Sequence, residues 1–232
     1  MHPAMSNQGS HVIEAPREDL AARLLAEAEA LVRRDGPDGI ALRELARACG
    51  SSTMAIYTLY GGKPGLMQAL YAVGFARLHA YGVATRDRDA PLRWMVRQML
   101  AYRRFALDNT GLYRLMFGGE KRFIPTDRHT RFASLAAPVD DTYPAFAELV
   151  DAVGTCLAHH RPRTSDAAPE PAEVDDFAFL VWGQMHGHVS LEIAGYADPA
   201  DALGRYQNVV RFICTHCGAD AADVEAELDA AP

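Results

Sequence analysis

The sequence predicts an all-α protein, and two patterns carry the prediction. Apolar residues recur at the three- and four-residue spacing of a helix face along most of the 232 residues. Glycine and proline fall between these periodic segments, where helices end and begin, and no segment has the pattern of a convincing strand. We therefore expect about nine helices, divided between a small amino-terminal head and a larger body.

The head is assigned to residues 16–63 and follows a tail, residues 1–15, that lacks periodicity and is expected to be disordered. A first helix is predicted from Pro16 to about Arg34, where the run DGPDG stops it. Its apolar side consists of Leu20, Leu24, Ala28, Leu31 and Val32.

Two short helices joined by a tight turn complete the head. The first is predicted over residues 42–49 and is ended by Gly50, which suits the left-handed conformation of a helix cap. Ser51 and Ser52 can accept hydrogen bonds from the first free amides of the second helix, predicted over residues 53–60.

The second short helix is predicted to pack one face on the first and to point the other outward. The outward face is uncharged and able to hydrogen-bond, and it carries Met54, Tyr57 and Thr58. The run GGKPG that follows adds Lys63 as a cation and Pro64 at the first position of another helix, whose free amides attract an anion. Two phosphate-facing elements therefore bracket a helix that fits a nucleic-acid groove.

The segment YTLYGGKPGL resembles the end of the helix-turn-helix in the tetracycline-repressor family: tyrosine, two residues, an aromatic, two residues, lysine. The preceding ALRELARACGSS resembles the first helix of the same motif. The resemblance implies that Tyr57 and Lys63 hold phosphates, while Met54 and Thr58, with Thr53 at the edge, meet base edges in the major groove. The full predicted DNA-binding set is Arg43, Ser52, Thr53, Met54, Tyr57, Thr58 and Lys63.

The motif departs from the family pattern at two places. Ala41 stands where the family often has a hydroxyl residue, so one expected cap and phosphate contact is missing. Gly61 and Gly62 replace the more usual proline and serine region, and we expect them to loosen the turn. The overall pattern survives both changes.

The body, residues 64–232, begins with a connecting helix from Pro64 to about residue 84, and Pro91 opens the next helix. Residues 95–119 carry an aromatic and methionine-rich surface around a bend at 109–111, and they resemble the ligand-domain helix pair of a family subgroup. Residues 177–196 resemble the tryptophan and histidine-glycine signature of that subgroup.

A pocket for a small molecule is predicted from these two body segments. Its candidate lining is Trp94, Tyr102, Met116, Phe117, Trp182, Met185 and His186. Ordinary core packing explains each of these residues taken singly. His186 could bind an anionic ligand, relay a pH change or satisfy a backbone carbonyl, and we favour the carbonyl.

A dimer interface is predicted because the helix over residues 177–196 is apolar on two sides and must be covered on both. Together with the next helix it would form a four-helix interface between two copies. The predicted interface residues are Phe177, Leu180, Val181, Gln184, His188, Leu191, Tyr206, Val210 and Ile213. A proline-rich segment near residues 161–173 is predicted to be a mobile surface loop.

Composition narrows the cellular context. The formal net charge is −7, yet residues 11–80 are neutral, with eight basic and eight acidic residues, so local arginines and Lys63 can still meet phosphates. No membrane span or export signal is visible, and we expect a cytoplasmic protein.

Cys214 and Cys217 are one helical turn apart but lack further ligands, and we interpret them as buried helix cysteines rather than a metal site.

The sequence therefore predicts a ligand-responsive DNA-binding transcriptional regulator, a repressor released from its operator by a small molecule. Its expected partners are double-stranded operator DNA, a second copy of the chain and an unknown effector, with no membrane, cofactor or metal. The alternatives are a helical metal-dependent or acid-base enzyme, since His159, His160, His186 and His188 are present, and a ligand-free helical interaction module.

Overall fold

The protein is described by a computed structural model that covers residues 14–118, 144–160 and 168–231. Within these ranges the regular structure is entirely helical, which confirms the all-α prediction. The described helices are α1 (Glu14–Asp35), α2 (Leu42–Ala48), α3 (Thr53–Tyr60), α4 (Lys63–Val83), α5 (Pro91–Asp108), α6 (Thr110–Phe117), α7 (Pro144–His160), α8 (Pro171–Ile193), α9 (Pro199–His216) and α10 (Ala221–Asp229). They number one more than expected, and a single 3-10 turn, Pro37–Gly39, joins α1 to α2.

Local signals in the head produce the predicted boundaries. The Ser52 hydroxyl accepts a hydrogen bond from the Ala55 amide at 3.3 Å, which caps the start of α3. Gly61 ends α3 in the left-handed region, with φ of 71°. The bounds of α3 therefore agree with the sequence prediction to the residue.

Two apolar cores fill the molecule, one in the head and one in the body. The head core lies between α1, α2, α3 and the first half of α4, and it includes Leu45, Ile56 and Leu66. The body core joins α5 to α10 and centres on residues such as Trp94 and Phe105. Burying these apolar side chains supplies the main stabilising free energy of both parts.

Helices α4 and α6 contribute to both cores. Leu66, Met67 and Leu70 of α4 belong to the head core, whereas Phe75 and Leu78, farther along the same helix, pack against the body core. The predicted domain boundary at residue 63 thus coincides with the first residue of a helix that both cores share.

Several sequence predictions fall partly outside the described residues. Of the predicted tail, residues 1–13 lie outside, and Glu14 already belongs to α1. Residues 161–167 of the predicted loop also lie outside, whereas Pro171 already belongs to α8. None of the described helices is long and apolar enough to span a membrane.

Candidate functional sites

Helix α3 projects an uncharged face from the head, as the sequence predicts. Ile56 is fully buried against the head core, whereas Met54 and Tyr57 are 71% and 57% exposed. Thr58 is exposed beside them, and Thr53 is half-buried at the start of the helix. Large side chains this exposed bury little of their apolar area within the protomer, which makes the face a candidate contact surface.

The two glycines after α3 fit a defined turn, contrary to our expectation that they loosen it. Gly61 takes the left-handed conformation that ends the helix, and Gly62 has a φ of 92°. A side chain at Gly62 would place its Cβ 2.7 Å from the Tyr57 ring, so only glycine lets the ring lie this close to the backbone. The turn therefore holds Tyr57 in place.

Three polar residues of the predicted DNA-binding set are already engaged within the head. The Lys63 ammonium donates to the Ile40 carbonyl at 2.9 Å and ties the turn after α3 to the start of α2. The Ser52 hydroxyl caps α3, and the Thr58 hydroxyl donates to the Met54 carbonyl at 3.0 Å. Arg43 is exposed on α2. The Lys63 ammonium is therefore partly used in holding the head together.

In the body, His186 of α8 lies within a cluster of hydroxyl and aromatic groups. Its Nδ1 atom is 2.7 Å from the Tyr113 hydroxyl and 3.1 Å from the Tyr102 hydroxyl. Ser190 lies near the other ring nitrogen, at 3.4 Å. The favoured interpretation of His186 as a partner of a backbone carbonyl is therefore wrong, because its ring bonds side chains of α5, α6 and α8.

Burial lowers the pKa of His186 below its usual value and raises the pKa of Tyr102. Both groups are thus neutral near pH 7. The neutral imidazole can accept a hydrogen bond at Nδ1 from one tyrosine hydroxyl. Phe117 and Trp182 place their ring centroids 4.9 and 6.0 Å from that of His186. The cluster combines flat apolar surfaces with several hydrogen-bonding groups.

Four of the seven predicted pocket residues thus come together: Tyr102, Phe117, Trp182 and His186. Trp94 lies two helical turns from Tyr102, fully buried, with the Arg88 guanidinium 5.6 Å from its ring centre. Met116 packs on Gly74 of α4, and Met185 is buried in the body core. Tyr113 belongs to the predicted aromatic surface of residues 95–119 but is absent from the predicted pocket lining, although it bonds His186 directly.

The predicted dimer face needs a correction at four residues. Val181, Tyr206, Val210 and Ile213 are buried in the protomer's own core, and the Tyr206 hydroxyl donates to the Met99 carbonyl at 2.7 Å. Apolar periodicity marks a buried face but does not say what buries it. The other five predicted residues remain at least partly exposed: Phe177, Leu180, Gln184, His188 and Leu191.

A groove of about 430 Å³ runs between α8 and α9 next to these exposed residues. Gln184, His188 and Leu191 line its α8 side, and Asn208 and Phe212 line its α9 side. Phe212 is 63% exposed and Leu191 is 53% exposed, so the face carries large apolar groups that nothing in the protomer covers.

The cysteine prediction is confirmed in its structural part. Cys214 and Cys217 are both fully buried, and Cys217 lies beside Cys156 of α7. Within the described ranges, no group of three or more potential ligands is arranged to hold a metal ion.

Comparison with known proteins identifies the family. Residues 95–212, just over half of the chain, match the family model described as the tetracyclin repressor-like C-terminal domain. The chain belongs to the tetracycline-repressor family. It is therefore a ligand-responsive transcriptional regulator, as the resemblance in the head implies. A search of curated proteins finds no match.

Solved structures share the fold. A protein of unknown function from Rhodococcus sp. RHA1 is 24% identical, with a TM-score of 0.63 over 86% of this chain and 96% of that one. The TetR family transcriptional regulator PfmR from Thermus thermophilus is 20% identical, with a TM-score of 0.54 over 82% and 97%. RolR in complex with resorcinol is 16% identical, with a TM-score of 0.56 over 92% and 95%.

Proposed function

We propose that the protein is a homodimeric repressor that binds operator DNA through α3 and leaves it when a small aromatic molecule binds near His186. The exposed, acid-free face of α3 carries the proposal. It projects Met54 and Tyr57 from a helix whose two ends are fixed by Ser52 and Gly61. The exposed face of such a helix can enter the major groove. Arg43 beside it supplies a phosphate contact.

A second copy is proposed to cover the exposed face of α8 and α9. The apolar groups Leu180, Leu191 and Phe212 are at least 46% exposed on this face. Two copies related by a two-fold axis would bury these groups against each other and present two α3 helices to half-sites about one turn of DNA apart. Because the second head then binds the same DNA molecule as the first, the dimer binds DNA more tightly than one head alone.

The effector is proposed to bind among the rings around His186 as a small aromatic molecule with hydrogen-bonding groups. Trp182 and Phe117 offer stacking surfaces, and the tyrosine hydroxyls and Ser190 offer donors and acceptors. RolR, whose structure holds resorcinol, is similar in fold, and a phenol of this kind has the chemistry that the cluster suits.

Helix α6 is proposed to carry the effector signal to the head. Tyr113 bonds His186 in the body, and its neighbour Leu112 is buried in the head core. An effector that displaces the Tyr113 hydroxyl would also move Leu112, because both residues lie on one rigid turn of helix. Ligand and DNA then favour different positions of the same element, which couples their affinities reciprocally.

The test of DNA binding is fluorescence anisotropy with duplexes from the protein's own promoter region. The double variant Tyr57→Phe with Arg43→Ala should bind at least tenfold more weakly at 150 mM salt, because it loses two phosphate contacts per head. Arg104→Ala removes the same charge from an exposed site on α5 and should leave binding unchanged. Full affinity in the double variant would contradict the assigned contacts.

The effector test uses the molecule that co-purifies with the protein, identified by mass spectrometry after denaturation. Adding it should release wild-type protein from DNA. Tyr113→Phe should need about fivefold more of it if the molecule bonds the tyrosine hydroxyl. Release at unchanged concentration would place the molecule elsewhere.

A further inference from the structure

The recognition face of α3 lacks the side chains that proteins use for paired hydrogen bonds to bases. The helix reads TMAIYTLY and contains no arginine, lysine, asparagine, glutamine or acid. Guanine is commonly read by arginine or lysine, adenine by asparagine or glutamine, and cytosine by an acid. The helix therefore has no means of making any of these contacts.

The Thr58 hydroxyl on that face is already used as a donor within the helix. The Thr58 hydroxyl donates to the Met54 carbonyl at 3.0 Å, so its proton is already engaged within the helix. Thr58 is exposed, and its side chain also carries a γ-methyl group. The Tyr57 ring lies against Gly62 at the end of α3, and Thr53 is half-buried at its start.

Met54 and Thr58 form an apolar pair one helical turn apart. Met54 is 71% exposed, and its unbranched thioether adapts to irregular apolar surfaces. The C5 methyl group of thymine is the apolar feature that base pairs present in the major groove. We propose that α3 selects its half-site by packing Met54 and the Thr58 methyl group on thymine methyl groups.

This inference rests on the proposed DNA-binding function and names the base chemistry that the site selects. Phosphate contacts from Arg43 and Tyr57 would set the position of the head without reading sequence. The operator is then expected to carry thymine at the positions that α3 covers, and loss of the thymine methyl groups alone should weaken binding.

The experiment replaces thymine by deoxyuridine, which keeps base pairing and lacks only the methyl group. Wild-type protein first selects duplexes from a random-sequence pool, and the selected site is mapped by footprinting. The dissociation constant is then measured for the selected duplex and for its fully deoxyuridine-substituted form. We expect roughly fourfold weaker binding for each buried methyl group removed.

Three variants assign the effect to residues. Met54→Ala and Thr58→Ser, which keeps the hydroxyl, should each reduce the ratio between the deoxyuridine and thymine constants toward one. Arg43→Ala should weaken binding to both duplexes and leave the ratio unchanged. Circular dichroism checks that each variant keeps its helical content.

The outcomes separate this inference from the proposed function. Equal affinity for thymine and deoxyuridine duplexes would overturn the proposed recognition of thymine methyl groups, while the proposed DNA binding would stand. An unchanged ratio in both the Met54 and Thr58 variants would overturn their assignment. Failure to enrich any duplex from the pool would overturn the proposed DNA binding and this inference with it.

Discussion

The head exposes its candidate recognition residues, whereas the body holds its candidate sensing residues partly or fully buried. Met54 and Tyr57 project from a helix whose ends are fixed by local caps. His186 lies between three helices and depends on hydroxyl groups that are 73 and 84 residues away in the chain. The candidate DNA-binding surface can therefore act without rearrangement of the head, whereas a ligand at the candidate sensing cluster would have to move helices.

Arg77 and Gly111 make close contacts where the two parts meet. Arg77 of α4 binds Glu29 of α1 at 2.6 Å and the Asn109 side chain at 3.0 Å. Gly111 at the start of α6 approaches the carbonyl of Val32 in α1 so closely that a Cβ would lie 2.2 Å from its oxygen. Movement of α6 in the body must therefore push directly on the head.

The largest expected effect on stability comes from Gly111→Ala, which prevents the close contact between Gly111 and the Val32 carbonyl. The new methyl group would meet backbone atoms, so α6 has to shift away from α1, and we expect a loss of about 3 kcal/mol of unfolding free energy. DNA affinity should fall as well, because the head loses its support. Urea unfolding and fluorescence anisotropy measure the two effects.

The neighbouring substitution Thr110→Ala serves as the control. It removes a hydroxyl that donates to carbonyls of α5 and should cost less than about 1 kcal/mol, with DNA affinity unchanged. Equal effects of the two substitutions would show that α6 does not brace the head.

The head could be predicted in detail because its structure is specified by nearby residues. Ser52, Gly50 and Gly61 fix the ends of α2 and α3 within a few residues of themselves. Even there, the bond from Lys63 to the Ile40 carbonyl escaped prediction, since it joins residues 23 positions apart. Local signals determine where helices end, but they do not determine which distant group a long side chain bonds.

In the body, the sequence predicted the apolar helices and part of the aromatic cluster, but not what covers each helix face. Periodicity correctly marked Val181 and Ile213 as buried, yet assigned them to a partner, whereas the protomer's own core covers them. The meeting of Tyr102 with His186 depends on how α5, α6 and α8 cross. Crossing geometry is a property of tertiary packing, and it leaves no spacing signal in the sequence.

A smaller effect is expected from Arg77→Ala, which tests the ionic part of the junction. The substitution leaves Glu29 with only Arg33 as its partner and removes one hydrogen bond from the buried Asn109. We expect a loss of about 1 kcal/mol that shrinks at high salt, because Arg77 is one-third exposed. Arg34→Ala, which breaks only an exposed pair with its neighbour, should cost less in the same unfolding measurement.

The smallest effect is expected from acidification, and it probes the body alone. Burial lowers the folded-state pKa of His186 below the unfolded value of 6.5, so the unfolded chain binds a proton first as the pH falls. His186 therefore contributes no pH dependence of stability above about pH 7, and its contribution lowers stability as the pH falls from 6.5 to the folded-state pKa. His160 is shifted in the same direction by its own burial, so it contributes a similar decline.

The two histidines can be separated by substitution. Unfolding free energies of wild type, His186→Gln and His160→Gln are compared at pH 7.5 and 5.5. Each variant should lose part of the acid-induced decline, and an effector bound at the cluster should protect wild type and His160→Gln but not His186→Gln. An acid decline undiminished in His186→Gln would mean that the imidazole is hydrated in the folded protein, and the cluster would then be open to water rather than sealed between its helices.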